Sequence, residues 1–88
     1  MNNINHLIQS ANRIGDFFEA LPNRQEGLDG IADHIRKFWE PRMRTAMLNF
    51  LAEHPEGRTP EAELSPIAKE AIVQNREMLT PKATAQLP

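Results

Sequence analysis

Apolar side chains along the chain recur at the three- and four-residue spacing of α-helices, and no stretch alternates convincingly enough to predict a strand. Four helical segments follow. In the first, about residues 3–21, Ile4, Leu7, Ile8, Ala11, Ile14, Phe18 and Leu21 fall on one stripe, with Gln9, Arg13 and Asp16 on the far side. Gly15 lies inside that stripe, where it costs about 1 kcal/mol of helix propensity relative to Ala. Its position there predicts close approach of another helix, with a merely tolerated glycine as the alternative, and Pro22 ends the segment.

The second segment opens with Asn23 as N-cap and Glu26 in the capping-box position. Leu28, Ile31, Ala32, Ile35, Phe38 and Trp39 make its expected buried stripe, while Asp29, Asp33, Arg36 and Lys37 point away. It cannot run through Pro41, since the residue before a proline is driven from the α region, and Pro41 is instead suited to the first turn of a third helix. A tight corner around Trp39-Glu40-Pro41 is therefore expected. The third segment, about residues 41–53, carries Met43, Ala46, Met47, Phe50 and Leu51 on one side. Leu48 widens its apolar arc past half the circumference, and Arg44 projects on that extra face. So wide an arc predicts either a central helix or a surface that meets another chain.

Residues 54–64 read as a loop, punctuated by Pro55, Gly57 and Pro60 and solvated by Glu56, Glu61 and Glu63. Ser65 and Pro66 then form an N-cap and first-turn pair for a fourth helix whose apolar side is Ile67, Ala71, Ile72, Met78 and Leu79. The expected architecture is all-α: a small bundle of three to four helices with a proline-initiated corner. One helical domain spans residues 1–79, and residues 80–88 form a flexible C-terminal tail.

Composition narrows the function. With 88 residues the chain makes a single small domain, and its 40% hydrophobic and 25% charged content is that of ordinary globular proteins. The net charge of −2 argues against a dedicated nucleic-acid binder, which needs a basic surplus. The absence of cysteine excludes disulfides, thiolate zinc sites, cysteine nucleophiles and cysteine-ligated clusters in this chain. No apolar run nears the roughly 18–20 residues that span a bilayer, and the N-terminus lacks the pattern of a signal peptide, so a cytoplasmic, non-membrane protein is expected.

Catalytic templates find little purchase. His6, His34 and His54 have no metal-ligand partner at the usual spacing. Ser10 and Ser65 have no nucleophile-elbow context, and the four glycines match neither a P-loop nor a dinucleotide fingerprint. Asp29 and Asp33 read as surface charge beside Lys37. The expectation is a chain with no active site, metal or cofactor of its own. The cations Arg36, Lys37, Arg42 and Arg44, with the off-stripe residues Leu48 and Ala52, are the candidate partner-binding set; a merely solvated face is the alternative. Phe18, Ile31, Ile35, Phe38, Trp39, Pro41, Met47 and Phe50 are assigned to the core, so that Phe38 and Trp39 are read as packing residues rather than a base-stacking platform.

The order of residues also carries a resemblance. Leu7-Ile8, Ala11-Asn12, Ile14-Gly15 and Phe17-Phe18, followed by Ile31-Ala32-Asp33-His34-Ile35-Arg36-Lys37-Phe38-Trp39-Glu40-Pro41-Arg42-Met43-Arg44, resembles the delta subunit of NAD-dependent formate dehydrogenase. Leu64-Ser65-Pro66-Ile67 through Ala71 is similar to that family's final helix, and the likeness spans about residues 4–73. Its most specific part runs from Phe38 to Arg44.

The resemblance implies a non-catalytic accessory subunit of the cytoplasmic molybdenum enzyme. It would bind the alpha, beta and gamma subunits to stabilise the complex or assist cofactor maturation. Molybdenum bis-molybdopterin guanine dinucleotide, iron–sulfur clusters, FMN and NAD are expected in those partner subunits and none in this chain. The competing reading, a regulatory module that binds nucleic acid through the basic corner at 36–44, fits the net charge poorly. A small enzyme fits worse still.

Overall fold

A computed structural model describes residues 3–81 and contains five helices: α1 (Ile4–Glu19), α2 (Arg24–Phe38), α3 (Pro41–Glu53), α4 (Pro66–Gln74) and α5 (Arg76–Leu79). Their starts follow from capping chemistry. Asn3 and Asn23 sit in extended backbone, and their side-chain oxygens accept from the amides of Asn5 (2.8 Å) and Glu26 (3.0 Å). Ser65 accepts from Ala68 N–H at α4, and prolines occupy the first turns of α3 and α4. No cap side chain serves α3, whose N-cap is Glu40.

α1, α2 and α4 pack on one another, α3 leans against α1, and α5 closes onto α2 and α4. Leu7, Ile8 and Ala11 of α1 meet Leu28, Ile31 and Ile35 of α2 and Ile67, Ala68, Ala71 and Ile72 of α4 in one continuous core. Gly15 lets α1 and α4 approach: a Cβ there would stand 3.2 Å from Ile67 Cγ2 and 3.4 Å from Ser65 Oγ. Burial of these aliphatic chains, each worth about 1.5–3 kcal/mol, is the main stabilising term for so short a chain.

The segment between α3 and α4 is more ordered than a solvated loop. An isolated antiparallel bridge joins Arg58 to Glu63, Leu64 N–H donates to the Gly57 carbonyl at 2.9 Å, and Gly57 turns with φ of 72°. α1 holds this turn from below. Asn5 donates to the Glu61 carboxylate and accepts from the Thr59 hydroxyl, while Asn12 bonds the backbone at both Glu63 and Ser65. Leu64 is consequently buried.

Four expectations need correction. The fourth helix is broken at Asn75, whose amide side chain donates to the Ala71 carbonyl at 2.9 Å and diverts the chain before α5. The break changes the phase, leaving Met78 41% exposed while Leu79 is buried. Pro41 lies at the surface, because a proline in the first turn serves the backbone rather than the core. Phe38 is 70% exposed although Trp39 is 6% exposed. The helix ends at Phe38, and Trp39 turns into extended backbone (φ −86°, ψ 138°), so the two do not continue one helical stripe. Phe18 and Phe50 are half-buried at the rim; Ile31, Ile35 and Met47 lie within the core. Of the proposed tail, Thr80 bonds back to the Arg76 carbonyl and Pro81 is buried, while residues 82–88 lie outside the described residues.

Candidate protein-docking surface

The α2–α3 corner owes its shape to the change of backbone at Trp39. Its N–H still donates to the Ile35 carbonyl at 2.9 Å, but its side chain drops inward. There it lines a narrow interior gap with Ile35, Met47, Leu48, Ile72 and Leu79. Glu40 and Pro41 then restart the chain as α3, leaving Phe38 outside and exposed.

Those cations are not equivalent. Lys37 pairs with Asp33 one turn back at 3.1 Å, and Arg42 pairs with Glu40 at 3.4 Å. Both pairs are well exposed and worth about 0–1 kcal/mol each. Arg36 has no hydrogen bond or ion pair among the described residues. Arg44 departs from the exposed position expected of it. It is half-buried and lines the same gap as Trp39 and Leu79. Its Nη1 donates over a long 3.4 Å to the Leu79 carbonyl, and its buried Nε has no partner among the described residues. The corresponding position on a helical wheel is the outer face; α5, which the sequence pattern merges with α4, covers it.

Two surface openings separate the remaining candidates. Arg36 and Arg44 line an open cavity of about 470 Å³ with Met78 and Thr80. Leu48 and the exposed Ala52 instead line a groove of about 340 Å³ between α3 and α4, with Leu51, Ile72, Val73 and Arg76. The candidate set thus divides into two paired cations, two convergent arginines, and two residues of an apolar groove.

A further feature carries no sequence signal beyond its residue types. Phe17 is 70% exposed and meets Phe18 edge-on at 5.0 Å between ring centroids. Phe18 lies 6.4 Å from His34, and His34 lies 4.7 Å from Phe38. The four rings form a row across the α1–α2 seam, ending at the corner. Phe18 reaches the seam because Gly30 offers no side chain beneath it. Exposed aromatics beside arginine are the composition of protein-interface centres.

Nothing in this surface assembles a reactive centre. Among the described residues, no group of three or more His, Cys, Asp or Glu side chains converges on a point that could hold a metal ion. No described helix is long and apolar enough to cross a membrane.

Comparison with known families decides the assignment. A family model described as "NADH-dependant formate dehydrogenase delta subunit FdsD" matches residues 6–72, from the first turn of α1 into α4. The chain belongs to this family. It is thus a small helical accessory subunit by family, with the α2–α3 corner, the aromatic row and the structured loop all inside the matched region. α5, which supplies the Leu79 contact to Arg44, lies beyond it. No curated protein and no solved structure matches the chain.

Proposed function

We propose that the chain is a non-catalytic subunit of an NAD-dependent formate dehydrogenase that docks on the catalytic assembly through its α2–α3 corner. The observation that carries the reading is the family match together with a corner where the exposed Phe38 is flanked along the chain by the exposed Arg36, Lys37 and Arg42. Docking is to the alpha, beta and gamma subunits, which hold the molybdenum, iron–sulfur, flavin and NAD chemistry. This chain supplies binding free energy. The docking face comprises Arg36, Lys37, Phe38, Arg42 and Arg44, with Leu48 and Ala52 of the groove between α3 and α4. A buried face of about 800 Å² is enough for a specific contact.

The physical effect follows from linkage. A partner that binds only the assembled, cofactor-competent form stabilises it by about 2.7 kcal/mol when present at 100 times its dissociation constant. Beside total stabilities of about 5–15 kcal/mol, that shifts the yield of complete enzyme. The chain acts in the compartment of that enzyme, the cytoplasm. Nucleic-acid binding is the weaker reading even with Phe38 exposed, because two of the corner's four cations are already engaged by carboxylates.

The test is to produce the alpha, beta and gamma subunits with and without this chain. We expect the complete set to give more assembled complex, with a higher molybdenum content per alpha subunit and more formate-dependent NAD reduction. Equal assembly, metal content and activity would contradict the reading.

A further inference from the structure

Arg44 is held in an arrangement that its own fold does not satisfy. Its stem passes among Trp39, Met47, Leu48 and Leu79; among the described residues its buried Nε has no partner, and the bond from Nη1 is long. A guanidinium partly stripped of water in this way is costly until an anion meets its open end. Arg36, on the neighbouring helix, has its charge free among the described residues and faces the same open cavity of about 470 Å³. Among the described residues no carboxylate lines that cavity, and Met78 and Thr80 share its wall. Lys37 and Arg42 contrast with this pair, having carboxylates of their own.

We infer that the Arg36–Arg44 cavity is a receptor for an acidic side chain, an Asp or Glu presented by the protein on which the chain docks. This rests on the docking proposed above and specifies its chemistry. Two guanidinium groups lining one cavity can offer a carboxylate forked, charge-assisted hydrogen bonds that a lysine cannot reproduce. The Arg44 stem is already fixed by packing and its charge partly dehydrated, so less ordering and desolvation remain to oppose binding. The acidic side chain fits better than a small free anion: Met78, 41% exposed at the cavity wall, offers apolar surface to a partner's side chain but nothing to a solvated ion.

The experiment uses the full chain with the assembled alpha, beta and gamma subunits. Arg44→Met keeps the apolar stem and removes the charge, so its melting temperature should equal or exceed that of the unmodified chain. Arg36→Gln, at an exposed position, supplies a second variant that folds independently of that outcome. Each should weaken binding about tenfold or more and flatten its salt dependence, whereas Arg13→Gln, at an exposed α1 position outside the docking face, should stay within about threefold. In Arg36→Lys, a carbodiimide that couples amines to carboxylates should form a new cross-link from residue 36 to an Asp or Glu of the assembly.

If the unmodified chain binds and Arg36→Gln and Arg44→Met bind equally well, the receptor is overturned and the docking reading stands. If the unmodified chain does not bind, both fall. Saturable binding of sodium formate or inorganic phosphate by the isolated chain, with assembly unaffected by either substitution, would make this a small-anion site and overturn the inference.

Discussion

Asn12 holds the backbone at Ser65: its side-chain oxygen lies 2.8 Å from the Ser65 amide nitrogen, two residues after the turn that precedes α4. Its nitrogen donates at 2.9 Å to the Glu63 carbonyl, so one carboxamide satisfies a donor and an acceptor on the same extended stretch. Ser65 then caps α4. The contact fixes the turn on α1 and sets where α4 begins, next to Gly15.

Asn12→Ala removes both bonds and leaves the Ser65 N–H and Glu63 carbonyl without their protein partner. We expect a loss of about 1–3 kcal/mol in urea unfolding. Amide exchange at Ser65 should quicken in the folded state, while the α2 amides keep their relative protection.

Phe38 and Trp39, adjacent in sequence, should respond in opposite ways. Trp39→Ala empties a buried site among Ile35, Met47, Ile72 and Leu79 and is expected to cost about 3–5 kcal/mol. Phe38→Ala, at a position 70% exposed, should change stability by about 0.5 kcal/mol or less. It should nonetheless reduce co-purification with the catalytic subunits. Denaturant melts and pull-downs on the two variants separate packing from docking.

Two glycines should also differ. At Gly15 a methyl would meet Ile67 and Ser65 at 3.2 and 3.4 Å, so Gly15→Ala sets a tight contact against about 1 kcal/mol of helix propensity and should be near neutral. Gly15→Leu forces α1 and α4 apart and should cost about 1–3 kcal/mol. At Gly30 a Cβ would overlap the Phe18 ring itself. Gly30→Ala should therefore destabilise despite its better propensity and displace Phe18 from the row with His34. Thermal unfolding reads the first effect, and aromatic proton shifts at His34 read the second.

Much of the fold was legible because its boundaries are local chemistry. Asn23, Pro41, Ser65 and Pro66 announce helix starts whatever surrounds them, and the stripes of α1 and α2 need only the 3.6-residue period. The Gly15 contact was readable for the same reason: a glycine in an apolar stripe marks a place where something comes close.

What escaped is decided by geometry at element ends and between distant segments. The burial of Trp39 and exposure of Phe38 turn on one residue leaving helical backbone, which periodicity does not register. Arg44 is polar on an apolar arc, which predicts an outer position; its partial burial depends on α5, separated from α4 by the single residue Asn75. The loop at 54–64 looked solvated because its glutamates are, yet Asn5 and Asn12 anchor it through bonds spanning more than fifty residues. Of the docking candidates, the sequence shows the cations and, from i,i+4 spacing, the Asp33–Lys37 pair, but not the pairing of Arg42 with Glu40 or the partial burial of Arg44.

The central claim is that the α2–α3 corner is the face buried against the catalytic assembly. Amide hydrogen exchange of the chain, free and bound to the alpha, beta and gamma subunits, tests it most directly. The account predicts slower exchange on binding across residues 36–48, with the amides of the 54–64 turn little changed. Protection confined to that turn or to the N-terminal half of α1, with 36–48 exchanging as in the free chain, would contradict it.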